Sequence, residues 1–225
     1  MLAAEGFVAV PGGELATMIS AQDIDGLARH WEQLGLDETL LDGKYRYRRY
    51  GRLLAECDSP GRRRFTPLPH APFRQAAEHV PNYGGRDRLF SPISQESLLD
   101  PALLGLVAAD LAVAEGAADQ VGRWEVGLHM VRVVAVPGVP GSPTPEGRHR
   151  DGHDFVGMHL LERSRCSGGE STLYRDGRPP AQMTLSRRLD SLIVADTQLT
   201  HEVTPVVADG GTGVRDMLLV DVNAR

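Results

Sequence analysis

The chain has few cysteines, no surplus of positive charge and no long apolar run, and each shortage excludes a class of protein. Cys57 and Cys166 are the only cysteines among 225 residues, and neither belongs to a CxxC pair, which excludes a disulfide framework. The formal net charge is −6, whereas general binding of nucleic acid needs a clustered excess of Lys and Arg. We therefore expect a small-molecule partner and no nucleic acid.

Apolar segments are short and broken by turn residues. The N-terminal stretch MLAAEGFVAVPGGEL lacks a basic region and is interrupted by Gly and Pro, and we identify no segment of bilayer-spanning length. These features predict a cytoplasmic protein with no membrane partner. With 41% hydrophobic residues the chain can bury one substantial core, so we expect a single domain over residues 1–225.

One basic stretch departs from the acidic average. It reads KYRYRRYGR over residues 44–52, and three further arginines follow at positions 62–64. The favoured interpretation is a solvated strand or loop whose arginines pair with some of the 30 acidic residues. The second is an arginine turned toward an anionic substrate, and a nucleic-acid patch is the weakest of the three.

Hydrophobic periodicity divides the chain into two halves. An amphipathic helix is predicted over residues 21–34 and a second from Pro101 to about Ala114, with loops rich in Pro and Gly between them. From Trp124 onward, five β-branched runs are separated by turn residues. We predict a mainly β protein, an antiparallel barrel or cupin-like jelly roll, in which 124–225 supply most of the β core and 1–123 supply flanking helical and loop elements.

A candidate metal site begins at the string HRDG. On an extended segment His149 and Asp151 point to the same face and can hold one ion, and His201 follows the predicted strand SLIVAD. Two imidazoles and one carboxylate leave open coordination positions, as in non-haem Fe(II) oxygenases. HxD alone is a weak signal because solvated His–Asp pairs are common, but all three residues fall at predicted strand ends. His153 shares their face and is a further candidate.

Arg215 immediately precedes the predicted strand DMLLVDV. A buried guanidinium there can bind the distal carboxylate of 2-oxoglutarate through two parallel hydrogen bonds. The alternative is a structural salt bridge with Asp216 or Asp221. The cosubstrate role is favoured, because a single loop separates Arg215 from His201 and would return it beside the metal.

The runs PEGRHRDGHDFVGMHLLER, GGES, LDSLIVADTQLTHEVTP and GVRDMLLVD resemble a bacterial family of 2-oxoglutarate dioxygenases that includes the isoleucine 4-hydroxylases. The resemblance extends upstream through YRYRRYGRL, VPNYGGRDRLFSPI and WEVGLHMVRV. It implies a double-stranded β-helix that uses Fe(II), 2-oxoglutarate and O2 to hydroxylate a free L-amino acid. It further implies iron at His149, Asp151 and His201 and 2-oxoglutarate at Arg215. One departure is Met217, where many related oxygenases place Ser or Thr.

An amino-acid substrate needs a site for its carboxylate. We consider Arg86 and Arg132 as candidates, with Tyr83 beside a Gly-Gly turn, although plain turn chemistry also explains that loop. Two other functions stay open. One is a cupin-like metalloenzyme that uses the same three ligands without 2-oxoglutarate, and the other is a non-catalytic jelly-roll binding module.

Overall fold

The structure, a computed structural model, describes residues 2–17, 19, 21–59, 62–118 and 122–225. The helices in these ranges are α1 (Leu2–Glu5), α2 (Gly12–Leu15), α3 (Ala21–Ala28), α4 (Gln95–Leu98) and α5 (Pro101–Ala118), with short 3-10 turns at Arg29–Gln33 and Asp196–Gln198. The strands are β1 (Phe7–Val10), β2 (Gly35–Leu36), β3 (Arg46–Ser59), β4 (Arg62–Pro67), β5 (Ser91–Pro92), β6 (Arg123–Ala135), β7 (Phe155–Ser164), β8 (Cys166–Gly168), β9 (Glu170–Tyr174), β10 (Ala181–Thr184), β11 (Ser191–Ala195), β12 (Thr200–Val203), β13 (Val206–Ala208) and β14 (Gly213–Ala224).

The strands form one large sheet and two small ones. The large sheet has nine strands, with the order β1-β11-β7-β14-β6-β3-β2, and β4 and β5 pair with β3. The small sheets are β10-β9-β12 and β13-β8. Pairing is antiparallel apart from the short β3–β5 contact, as expected for a jelly roll. The predicted mainly β fold is confirmed.

Alternating side chains on the central strands divide between the two faces of the large sheet. On one face Leu128, Leu218 and Val220 join residues of the helices in the main hydrophobic core. On the other face Met217 and Leu219 line a cavity between the large sheet and the small ones. This alternation follows from the two-residue period of a strand, and it directs one set of side chains toward a ligand site.

Helix α5 is the longest helix in the described ranges. Asp100 caps its first turn, because Oδ1 accepts hydrogen bonds from the backbone N–H groups of Ala102 (2.9 Å) and Leu103 (3.2 Å). By length and composition it is the one described helix that could span a membrane. The sequence analysis had identified no segment of that length. Leu103, Leu106 and other apolar residues of α5 are buried in the main core, as in a helix packed on a sheet.

A polar cluster ties α5 to the sheet. His159 Nε2 lies 2.9 Å from Asp110 Oδ2, and His159 Nδ1 lies 2.7 Å from Ser191 Oγ on the paired strand β11. Gly157 on β7 permits this approach, since a Cβ there would lie only 2.1 Å from Asp110 Oδ2. All three polar residues are buried, so His159 is a hydrogen-bonded core residue and does not line the cavity.

The first half of the chain contains more strand than the sequence predicts. Residues 1–123 were expected to supply helical and loop elements, yet β3 pairs with β6 from Arg46 to Glu56, and β1 extends the sheet beside β11. The first predicted helix is shorter than expected, since α3 ends at Ala28 and continues as a 3-10 turn. β3 begins with four arginines in seven residues, Arg46, Arg48, Arg49 and Arg52, and such a polar run resembles a solvated segment more than a sheet strand.

Candidate metal centre and its cavity

His149, Asp151 and His201 meet at one wall of the cavity. One ligand atom from each lies within 4.8 Å of the others, and the Nε2 atoms of His149 and His201 each lie 3.5 Å from an oxygen of Asp151. The backbones of the two histidines form an antiparallel bridge, with both N–H···O distances at 2.9 Å. Strand pairing therefore brings together the three residues that the sequence separates.

The protonation of His149 and His201 bears on whether their ring nitrogens can bind a cation. His149 Nδ1 lies 2.9 Å from the carbonyl oxygen of Gly147, which can only accept a hydrogen bond, so Nδ1 carries a proton and Nε2 faces the cluster. Burial opposes protonation of His149, but the hydrogen bond and charge of Asp151 outweigh it and raise its pKa to about 9. Burial lowers the pKa of His201 to about 4. A metal ion would replace the proton that Asp151 otherwise shares with His149.

Asp196 holds the backbone that carries Asp151. Its carboxylate accepts hydrogen bonds from the backbone N–H groups of Asp151 (3.1 Å), Gly152 (2.7 Å) and His153 (3.1 Å). Gly152 adopts a φ of +88°, and a Cβ there would lie 2.7 Å from the ring of His79. The turn after Asp151 thus needs a glycine and a buried acid, and neither role was predicted from the sequence.

Gln75 orients the carboxylate of Asp151. Its side-chain nitrogen donates to Asp151 Oδ1 and to the Asp151 carbonyl oxygen, both at 3.0 Å. Arg88 in turn donates to the side-chain oxygen of Gln75. Such outer contacts fix the direction of a metal-binding carboxylate. The sequence offered no signal for this chain of contacts, because Gln75 and Arg88 lie in loops remote from HRDG.

Arg215 is buried and lines the same cavity. Its Nε makes no hydrogen bond, and within the described part of the chain no acid lies within ion-pair distance of its guanidinium. Both acids that could have neutralised it are engaged elsewhere: Asp216 binds Arg132 through two contacts of 2.7 and 2.6 Å, and Asp221 lies 2.8 Å from His129. Burial, with neighbouring Arg163, lowers the pKa of Arg215 to about 10, so it stays charged at neutral pH.

The predicted substrate-binding residues lie outside the cavity. Arg86 is exposed and donates to the carbonyl oxygen of Asn82 at 3.1 Å. Arg132 alternates with the cavity residues of β6, and therefore points to the opposite face. The hydroxyl of Tyr83 accepts a hydrogen bond from the backbone of Leu41 at 3.3 Å. None of the three residues is among those that line this cavity.

Arginines other than Arg86 and Arg132 line the cavity. Arg46 and Arg48 on β3 are buried and line the cavity with Arg88. Arg46 and Arg48 are therefore not solvated as expected, but the expected pairing with acids holds for Arg46, which contacts Asp37 at 2.8 Å, and for Arg52, which contacts Glu125 at 2.9 Å. The two-residue alternation along β3 was the signal, but it does not show whether the polar face meets water or a cavity.

The cavity has a volume of about 100 Å³ and contains both the metal cluster and Arg215. Its fold and its cluster of two histidines and one carboxylate are those of jelly-roll enzymes with a mononuclear metal site. The sequence profile described as 2OG-Fe dioxygenase matches residues 28–221, and the chain belongs to that family. The predictions of an oxidoreductase that uses Fe(II), 2-oxoglutarate and O2 are thereby confirmed.

Several solved and curated proteins are similar to this chain. A bsmA homolog from Methylobium petroleophilum PM1 is 31% identical with a TM-score of 0.86, covering 99% of this chain and 90% of its own. IDO from Bacillus thuringiensis shares the fold, at 22% identity and a TM-score of 0.81, covering 100% and 96%. The L-isoleucine-4-hydroxylase of Bacillus thuringiensis is 28% identical over 183 residues, which span 79% of this chain and 75% of the relative.

Proposed function

We propose that this dioxygenase hydroxylates a free aliphatic L-amino acid or a close derivative. Two curated relatives support this substrate class by name: the L-isoleucine-4-hydroxylase, and a 3(1)-hydroxy-L-isoleucine 4-dioxygenase of Pantoea ananatis that is 24% identical over 97% of this chain. In this proposal Fe(II) is held by His149, Asp151 and His201. The distal carboxylate of 2-oxoglutarate is held by Arg215.

The observation that carries the proposal is Arg215, a buried guanidinium that no carboxylate of the described residues contacts, in the cavity that also contains the three candidate ligands. A buried charge is strongly unfavourable unless an anion or hydrogen-bond acceptors compensate it. A dicarboxylate that reaches from the metal cluster to Arg215 would supply that compensation. The cupin-like alternative without 2-oxoglutarate leaves the charge of Arg215 without a role.

The donor set fits Fe(II). The Nε2 atoms of His149 and His201 and the carboxylate of Asp151 are the nitrogen and oxygen ligands of the two-histidine, one-carboxylate iron sites. Fe(II) and 2-oxoglutarate, when bound, would supply O2-dependent oxidation of a substrate C–H bond together with conversion of 2-oxoglutarate to succinate. Gln75 and Asp196 would keep Asp151 in place through the hydrogen bonds described above.

Other cavity residues complete the cosubstrate site and exclude water. Met217 stands where many related oxygenases have a hydroxyl, and we assign that contact to Ser171, a buried residue of the opposite small sheet that lines the cavity. Gly169, two residues earlier, lets this sheet approach Arg215, because a Cβ there would lie 3.1 Å from Arg215 Nε. Apolar residues such as Val131 and Met158 limit water around the reacting carbon.

We also propose a cytoplasmic location, a small-molecule partner and no nucleic-acid or membrane partner. The net charge of −6 and the low cysteine content, two residues without a CxxC pair, support this assignment. A single domain over residues 1–225 remains our interpretation of the chain's organisation.

A panel assay tests the substrate class. The enzyme is incubated with Fe(II), ascorbate, 2-oxoglutarate and each free L-amino acid, and both the mass gain of one oxygen and succinate are measured. We expect at least one aliphatic amino acid to gain oxygen in equal amount to succinate. Succinate without an oxidised product from any amino acid would contradict the proposed substrate class while leaving the dioxygenase assignment intact.

The variants Arg215→Gln and Arg74→Gln test the cosubstrate site. Arg74 is an exposed arginine whose contact with Asp87 lies on the surface, so it provides a matched control. We expect only Arg215→Gln to raise the 2-oxoglutarate concentration needed for half-maximal turnover. Unchanged 2-oxoglutarate dependence in Arg215→Gln would favour the metalloenzyme without 2-oxoglutarate, and absence of Fe(II) binding by the wild type would favour a passive binding module.

A further inference from the structure

The cavity contains buried arginines that the proposed 2-oxoglutarate site does not use, beside the carboxylates of Glu146, Asp151 and Asp221. Besides Arg215, it is lined by the buried residues Arg46, Arg48 and Arg88. Arg46 has an acid partner, since its Nε lies 2.8 Å from Asp37. Among the described residues, no carboxylate lies within ion-pair distance of Arg48 or Arg88. Two buried guanidinium groups in this cavity therefore have no carboxylate in direct contact among the described residues.

A hydrogen-bond relay fixes the position of Arg48. Its Nε and Nη2 lie 3.1 and 2.7 Å from His129 Nδ1, so this ring nitrogen accepts, and His129 Nε2 donates to Asp221 Oδ2 at 2.8 Å. Burial, with the charge of Arg48, lowers the pKa of His129 to about 4, which keeps the imidazole neutral. One edge of the Arg48 guanidinium is thus held by a neutral partner, and its Nη1 makes no hydrogen bond in the described part.

Arg88 lies beside Arg48 in an aromatic clamp. The guanidinium carbon of Arg48 is 4.3 Å from the ring centroid of Phe90, and that of Arg88 is 5.0 Å from the ring centroid of Phe73. Arg88 Nε is buried and has no hydrogen-bond partner. Two like charges held side by side between phenyl rings repel each other and have lost most of their water. An anion bound by both groups would relieve this repulsion.

This pair is separate from the cosubstrate site. Arg48 lies on β3 and pairs with Val131 of β6, whereas Arg215 lies on β14 and pairs with Val133, so β6 separates the two arginines. Arg88 is connected to the metal cluster through Gln75, which donates to Asp151 at 3.0 Å. An anion on Arg88 would therefore lie near the metal, at a position set by the residues that orient Asp151.

We propose that Arg48 and Arg88 together bind the α-carboxylate of the amino-acid substrate. This inference rests on the proposed function and specifies its substrate as one with a free carboxylate, as opposed to an amine, an amide or an internal residue of a peptide. Two guanidinium groups match a planar carboxylate in charge and in hydrogen-bond geometry. Phe73 and Phe90 hold both groups in place.

A cycle of variants and ligands tests the inference by binding, without turnover. The probes are L-isoleucine and L-isoleucinamide, or the acid and amide of the amino acid that the panel identifies, and they are titrated calorimetrically into the anaerobic protein with Fe(II) and 2-oxoglutarate. The variants are Arg48→Gln and Arg88→Gln, with the exposed Arg74→Gln as control. Binding of 2-oxoglutarate is measured separately by its absorbance band with Fe(II).

We expect the wild type to bind the acid roughly 30-fold or more tightly than the amide, because a buried charge pair is lost in the amide. Arg48→Gln and Arg88→Gln should weaken binding of the acid by a similar factor and abolish most of the preference. Binding of 2-oxoglutarate should stay within about twofold of the wild-type value for Arg48→Gln, by the separation of the two sites. Arg74→Gln should match the wild type throughout.

Equal binding of the acid and the amide by the wild type would overturn the inference without any variant, so a variant that fails to fold leaves it testable. Retained preference in both variants would also overturn it. A loss of 2-oxoglutarate binding equal to the loss of amino-acid binding in Arg48→Gln would reassign the pair to the cosubstrate. If the panel identifies no amino-acid substrate, the proposed function fails, and the inference fails with it.

Discussion

The two faces of the large sheet each contain a buried carboxylate–histidine pair, and the pairs differ in their third member. On the helix face, Asp110 lies 2.9 Å from His159, and the ring's other nitrogen contacts the hydroxyl of Ser191. On the cavity face, Asp221 lies 2.8 Å from His129, and the ring's other nitrogen accepts from Arg48. The first cluster ends in a neutral core group, whereas the second ends in a charge that faces the cavity.

The difference indicates how a similar pair serves either structure or binding. A buried polar cluster that ends within the core adds to stability, because its hydrogen bonds are made inside the protein. A cluster that ends in a guanidinium without a carboxylate contact positions that charge to bind an anion, and it contributes less to stability. Substitutions on the helix face should thus lower stability first, and those on the cavity face should lower ligand affinity first.

Asp110→Ala should give the largest effect. It leaves His159 without its carboxylate at a buried site, and we expect the free energy of unfolding to fall by about 4 kcal/mol. Urea unfolding followed by circular dichroism measures this change, with Asp209→Ala at an exposed position as the control. A loss below about 1 kcal/mol, within the range of a single ordinary hydrogen bond, would show that the cluster does not hold α5 to the sheet.

His129 should make stability depend on pH. Burial and Arg48 lower its pKa to about 4 in the folded state, from an ordinary value of 6.5, with Asp221 and His153 as its other ionisable neighbours. Above pH 6.5 both states are neutral and the full stability is present. Between pH 6.5 and 4 only the unfolded chain gains a proton, so stability should fall by about 3 kcal/mol as the pH decreases.

The variant His129→Gln isolates this contribution, because glutamine can accept from Arg48 and donate to Asp221 without titrating. Unfolding of the metal-free protein in urea at pH 7 and pH 4.5 should show a smaller pH-dependent loss in the variant than in the wild type. Equal losses would mean that His129 is not the group that resists protonation.

Arg215→Leu should change ligand affinity more than stability. Removing the partner of a buried carboxylate typically costs about 2 kcal/mol or more, which corresponds to roughly 30-fold weaker 2-oxoglutarate binding. The thermal unfolding midpoint should stay level or rise, since an uncompensated buried charge is removed. A lower midpoint with normal 2-oxoglutarate affinity would place Arg215 among the structural residues.

Gln75→Leu should give the smallest effect. Loss of its hydrogen bonds to Asp151 is expected to weaken Fe(II) binding about tenfold, the lower range for outer contacts of a metal ligand. Competition with a metal-sensitive dye under anaerobic conditions measures the affinity. The exposed Gln182→Leu serves as control. Unaltered Fe(II) affinity would show that Asp151 is oriented by Asp196 alone.

The metal cluster could be predicted because its geometry follows from local rules. His149 and Asp151 share a face through the two-residue alternation of an extended segment, and His201 is joined to His149 by an isolated antiparallel bridge. Arg215 likewise enters β14 on the face that lines the cavity. Residue type, spacing and position at a strand end were sufficient there.

The arginines that line the cavity, Arg48 and Arg88, could not be predicted by the same rules. Arg132 lies one position from the cavity residues Val131 and Val133, yet its side chain meets Asp216 on the other face. Arg48 occupies every second position together with Arg46, and this spacing is the same whether the polar face of the strand meets a cavity or solvent. Which face is covered depends on pairing between segments far apart in sequence.

The hydrogen bonds that support Asp151 also could not be predicted from the sequence. Asp196 holds the turn at Asp151 across 45 positions, and Gln75 contacts the same residue across 76. Such pairs involve common polar residue types in loops, and no local period marks them. The sequence predicted where the ligands would meet, but not which residues would keep them there.

The most direct test of the central claim is an anaerobic titration of the metal-free chain with Fe(II) and then 2-oxoglutarate, followed by absorbance. We predict one Fe(II) per chain and a visible band that appears with 2-oxoglutarate, and we predict loss of the band in His201→Ala while the folded signal in circular dichroism remains. A wild type without the band, or a band of equal strength in His201→Ala, would contradict iron binding by His149, Asp151 and His201.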